Sequence, residues 1–185
     1  MTLRNEGPGQ AAKVSLAWAL VLATATVVGS LAASCMMPFV ALAVMSAATM
    51  TRAQAAMTLV AAWAANEAIG FTVLHFPVDA SSFGWGAAAL AGALGAMLAA
   101  SLMVARGRMS LARLAGAFVL GFAAYEGLMF AWGLAGGGLA TFTAAIVAQI
   151  ALNETEWLVG LAAVQLLLTW RAPRRFGAAP SLSLI

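Results

Sequence analysis

The sequence predicts an all-α polytopic membrane protein, a bundle of six transmembrane helices with both termini in the cytoplasm. Three observations carry that expectation. Of the 185 residues, 64% are hydrophobic and only 8% charged, whereas soluble domains carry about 25% charged residues. Apolar runs approaching the roughly 20 residues needed to cross a bilayer recur along nearly the whole chain. The nine basic residues, Arg4, Lys13, Arg52, Arg106, Arg108, Arg113, Arg171, Arg174 and Arg175, all lie near segment ends, where such charges set orientation. The formal charge of +3 is therefore a topology signal, and no nucleic-acid partner is expected. The expected surroundings are a lipid bilayer, the cell (inner) membrane, crossed several times.

Residues 1–12 are polar and Gly-containing and lack the apolar core and cleavage pattern of a signal peptide, so they read as a cytoplasmic tail. The transmembrane domain covers 13–171, and a second cytoplasmic tail covers 172–185. The first helix is expected from Val14 to Ala32 and the second from Met36 to Met50. Between them lies a weak turn, at Gly29–Ser30 or at Ser34–Cys35, and Pro38 suits either the first turn of the second helix or a kink. The third helix is expected from Gln54 to Phe76, the fourth from Trp85 to Ala105 and the fifth from Leu114 to Leu134. The sixth lies within Leu139 to Trp170. As one helix that stretch would be about 48 Å long at about 1.5 Å per residue, more than a bilayer core needs. A break is therefore expected near Asn153 to Glu156, with Leu139 to Leu152 a short outer or re-entrant piece. With the basic clusters inside, the outer face receives "HFPVDASSFGW" and "GLAGGG", neither of which contains Lys or Arg.

Four of the six acids, Glu67, Glu126, Glu154 and Glu156, fall within or at the edge of these segments. A charge at the bilayer centre costs at least about 2.5–3.5 kcal/mol on insertion scales, so such residues turn inward and mark a pathway or a site. On the third helix Trp63, Asn66, Glu67, Gly70, Phe71, Leu74 and His75 share one stripe at i, i+3, i+4 and i+7 spacing. On the fifth, Phe122, Tyr125, Glu126, Met129, Phe130 and Gly133 do the same. "AANEAIGF" and "AAYEGLMF" repeat weakly, which puts Glu67 and Glu126 at similar depth. The two stripes are expected to line one outward-opening, partly hydrated cavity, with Asn153, Glu154, Glu156 and Trp157 at its rim or floor. The plainer alternative is that these polar groups only make interhelical hydrogen bonds, worth about 0.6 kcal/mol on average in membranes. Trp85 and Trp170 suit an interfacial aromatic belt.

The candidate substrate-binding residues are thus Trp63, Asn66, Glu67, Phe71, His75, Tyr125, Glu126, Asn153, Glu154 and Trp157. Cys35 and His75, with Met36 and Met37 beside Cys35, form a candidate metal-ligand set, soft enough for copper, cobalt or a metal-bearing cofactor. No catalytic residue is expected, because there is no H-E-x-x-H, no G-x-S-x-G and no nucleotide-binding glycine loop. Any ATP-driven step would need a separate motor protein.

In length, helix number, inward termini, outward polar and aromatic pocket and lack of an ATPase, the chain resembles the substrate-binding (S) subunit of an energy-coupling factor (ECF) vitamin transporter. It also carries a row of small residues on the first helix, Ser15, Ala19 and Ala23. The resemblance implies capture of a vitamin-like micronutrient from outside, and docking of a transmembrane coupling subunit with ATPases against that row. Cobalamin is the leading ligand expected, with Cys35 or His75 near the cobalt of a bound corrinoid, and a thiamine-like cation is next. Two other functions compete: a proton- or metal-ion-coupled small-solute carrier, and an accessory or assembly subunit of a larger membrane complex.

Overall fold

The computed structural model describes residues 16–25, 28, 37–104 and 110–172. The described residues form helices, with no strand among the elements: α1 (Leu16–Ala25), α2 (Phe39–Thr49), α3 (Arg52–Thr72), α4 (Ala80–Val104), α5 (Leu111–Gly136), a 3-10 turn (Leu139–Thr141) and α6 (Ala144–Arg171). Two of them, α4 and α5, are long and apolar enough to cross a membrane. α3 and α6, of 21 and 28 residues, contain the amides and carboxylates that lower their hydropathy. α1 and α2 are apolar but short.

α2 is the centre of the bundle and packs against α3, α4, α5 and α6. Its residues from Phe39 through Ser46 are buried on every side, as expected of a helix that is apolar all round. Close approach comes from small residues: Ala41 and Ala43 of α2, Ala93, Ala96 and Ala100 of α4, and Ala117 of α5 are fully buried. At Gly121 of α5, an added Cβ would lie 3.4 Å from the Ala96 carbonyl oxygen of α4. Small contact faces let helix backbones approach closely. α1 joins this core through Trp18 and Leu22, and the Trp18 indole N–H donates to Thr49 Oγ1 at 2.9 Å. Of the small row on this helix, Ala19 and Ala23 are partly buried and Ser15 lies outside the described residues.

Helix ends explain where the boundaries differ from expectation. α3 starts at Arg52, ahead of Gln54, because Thr51 and Gln54 form a reciprocal capping box. It stops at Thr72, short of Phe76. His75 turns into the left-handed region at φ 55°, and the Phe76 N–H folds back to the Gly70 carbonyl at 3.0 Å. Pro77 disfavours helical backbone at Phe76, so the chain cannot continue as helix there. α4 starts at Ala80, five residues before Trp85, because the Asp79 carboxylate accepts the Ser82 N–H at 2.8 Å and caps the first turn. That hydrogen bond holds the Asp79 carboxyl below its ordinary range, the exposed site keeping the effect modest. α5 begins after Ser110, whose side chain accepts from the Arg113 N–H, and ends at Gly137 and Gly138, both at positive φ.

The expected break in the sixth segment does not occur. α6 begins after Thr143, which accepts the Ile146 N–H at 3.3 Å, and runs unbroken from Ala144 to Arg171, about 42 Å at about 1.5 Å per residue. The polar run stays helical because Glu154 has a buried partner outside its own helix and Thr155 returns its hydroxyl to the Ala151 carbonyl at 2.7 Å. Pro38 is the N-cap residue of α2. The alternatives at Gly29–Ser30 and Ser34–Cys35 lie outside the described residues.

Candidate functional site

The half of the bundle that holds the α3–α4 and α5–α6 connections encloses a partly open cavity of about 470 Å³. Its walls are the end of α3, the start of α4, the second half of α5, the first half of α6 and the buried start of α2.

α3 contributes Asn66, Glu67 and Phe71 to the lining, all from one helical stripe. Glu67 lies against α4 at Gly86, where an added Cβ would come within 2.6 Å of Glu67 Oε2. α5 contributes Tyr125, Glu126 and Met129. Tyr125 is seated the same way on α4, over Gly92, whose added Cβ would meet the ring at 2.8 Å. Its ring also lies 6.3 Å from that of Phe39. α6 supplies Asn153 and Glu154.

Glu154 is 1% exposed, yet fully engaged. Its carboxylate accepts the N–H of Val40 at 3.2 Å and of Ala41 at 2.8 Å. These are the second and third residues of α2, whose N-cap, Pro38, has no side-chain acceptor to offer. A helix start leaves its first amides without partners and carries a partial positive charge; a carboxylate from another helix satisfies both needs. Glu126 and Glu154 lie near enough to interact electrostatically, and Tyr125 interacts with both.

Three expected site residues lie elsewhere. Trp63 donates its indole N–H to the Gly86 carbonyl at 2.8 Å, tying α3 to α4, and packs against the core. Trp157 also packs against the core. His75 is exposed in the turn after α3 and is not part of the lining. Glu156 is exposed on the outer side of α6, because two positions along a helix separate it from Glu154 by about half a turn. Cys35, the other half of the metal set, lies outside the described residues, as does Met36; among the described residues no group of three His, Cys, Asp or Glu side chains could hold a metal ion.

The cavity also has aromatic walls that periodicity did not indicate: Phe39, Phe76, Trp85 and Phe142. Trp85, expected in an interfacial belt, instead faces the cavity, because α4 begins early and its first turns form a wall. Phe142 is carried in by the turn after Gly138 and packs edge-on against Phe130 at 5.4 Å. The signal for these residues was the chemistry of the connections, a cap at Asp79 and paired glycines before Phe142. Among the described residues, no lysine, arginine or histidine lines the cavity.

The fold and site together define a helical protein with an acidic, aromatic-walled internal cavity. No family model, curated protein or solved structure matches the chain, so its function rests on the geometry of that cavity.

Proposed function

We propose that the chain is a multi-pass inner-membrane transport protein, six helices with both termini cytoplasmic, that binds a small vitamin-like molecule in an outward-facing cavity for uptake. The observation that carries this reading is the convergence of three carboxylates from three helices, Glu67, Glu126 and Glu154, on one cavity. Charged groups in such segments face functional interiors. A volume of about 470 Å³ falls within the ~300–1,000 Å³ typical of small-ligand sites. The connections beside the cavity, 73–79 and 137–143, carry no Lys or Arg, which supports an outer position for this half. A coupling subunit with ATPases, as in ECF transporters, would supply the energy.

The cavity favours a ligand other than cobalamin. His75, the described member of the expected metal set, does not reach the lining. The closeness of Glu126 to Glu154 supports a second reading, a proton-coupled small-solute carrier, since neighbouring carboxylates exchange protons readily.

Native mass spectrometry of the gently purified protein, paired with uptake into vesicles, tests the proposal. A retained small molecule and uptake that requires an added ATPase module are expected. Uptake driven by a pH gradient with this protein alone would instead establish the carrier. An empty protein without transport in either format overturns both.

A further inference from the structure

We infer that the molecule held in this cavity is an organic cation, a quaternary or protonated amine with apolar bulk, a step that rests on the ligand-binding reading above. The charge inventory points there first. Of the three carboxylates, Glu154 is already matched by the positive start of α2 through two amide hydrogen bonds. Glu67 and Glu126 have no such match: Glu67 is hydrogen-bonded to Asn66, and among the described residues no cationic side chain acts on either carboxylate. With no basic residue among the described residues of the lining, an anionic occupant would meet repulsion, whereas a cation completes the site.

The walls specify the kind of cation. Phe71, Phe76, Trp85, Tyr125 and Phe142 present aromatic surface to the same space, and aromatic faces attract ammonium groups, most strongly where water is excluded. A small inorganic cation would need a shell of oxygen ligands, and the described residues contain no cluster of three candidate ligands. Asn153 and Ser81 add polar groups to the same lining, which suit a polar substituent.

The test uses a pair of probes of nearly equal shape, choline and 3,3-dimethylbutan-1-ol, which differ in a positive nitrogen against a neutral carbon. Binding to the full chain in lipid nanodiscs is measured by calorimetry, with a native mass spectrum of the untreated protein. Choline should bind at least about tenfold tighter than the alcohol. Glu67→Gln and Glu126→Gln should each remove most of that preference while leaving helical content unchanged. Equal affinity for the two probes, or a retained molecule without positive charge, overturns the inference and leaves the ligand-binding reading standing. An empty cavity in both measurements overturns the ligand-binding reading as well.

Discussion

Glu154 of α6 caps the first turn of α2 from 113 positions away, its carboxylate accepting the Ala41 N–H at 2.8 Å and, with its other oxygen, the Val40 N–H at 3.2 Å. The contact locks the central helix of the bundle to an outer one. It also gives the cavity floor a carboxylate whose charge is offset, which separates Glu154 from Glu67 and Glu126.

Replacing Glu154 by Ala leaves two buried amides without acceptors. At about 1–3 kcal/mol for each orphaned donor, the loss should be roughly 2–6 kcal/mol. Glu154→Gln retains an acceptor and should lose less. Thermal unfolding in detergent would measure both, and an Ala variant as stable as the parent would contradict the capping role.

Trp63→Phe keeps the ring and removes the N–H that reaches the Gly86 carbonyl. Stability should fall by about 0.5–1.5 kcal/mol, with no change in ligand affinity, since Trp63 does not line the cavity. A large affinity change at unaltered stability would show that the indole reaches the ligand.

Gly86→Ala places a methyl group 2.6 Å from Glu67 Oε2. The carboxylate is the free end of a side chain, so it should swing aside at little cost in stability. Choline affinity should drop with it, by about as much as in Glu67→Gln. Parent-like binding in the Ala variant would separate Glu67 from recognition.

Asp79 makes the start of α4 sensitive to pH. Its carboxyl lies below the ordinary value of 3.8 because it accepts the Ser82 N–H. A lowered folded-state value means that the capping contribution is complete above 3.8 and is lost as pH falls through the lower, folded value. The protection of the Ser82 amide, measured by its exchange rate relative to an unstructured peptide at the same pH, should fall over that acidic window in the parent protein. Asp79→Asn, which can still cap, should flatten the pH response, whereas Asp79→Ala should show low protection at every pH. An unchanged profile in Asp79→Asn would count against the cap.

Orientation is accessible because the chain has a single cysteine. In a Cys35→Ala background, Val78→Cys and Leu111→Cys place thiols at exposed positions, 75% and 51% accessible, at opposite ends of α4 and α5. A membrane-impermeant maleimide added to intact cells should label the first and spare the second. The reverse pattern would invert the proposed topology.

Sequence alone was enough for the helical class and for the two most apolar helices, because a long run without charges has few other ways to fold. Period was enough to place Asn66, Glu67 and Phe71 on one face, and Tyr125, Glu126 and Met129 on another, since neighbours within a helix are set by its pitch. Helix ends at Thr51 and Asp79 were written in local capping chemistry, readable but easily taken for loop. What only the tertiary structure decided was which face met which: that Trp63 would be spent on Gly86, that Trp85 would turn from the lipid boundary to the cavity, and that the polar run at Asn153 to Glu156 would stay helical. The physical reason is range. Pitch and caps act over three or four residues, whereas Glu154 owes its burial to amides more than a hundred positions distant, and only packing brings such partners within hydrogen-bonding reach.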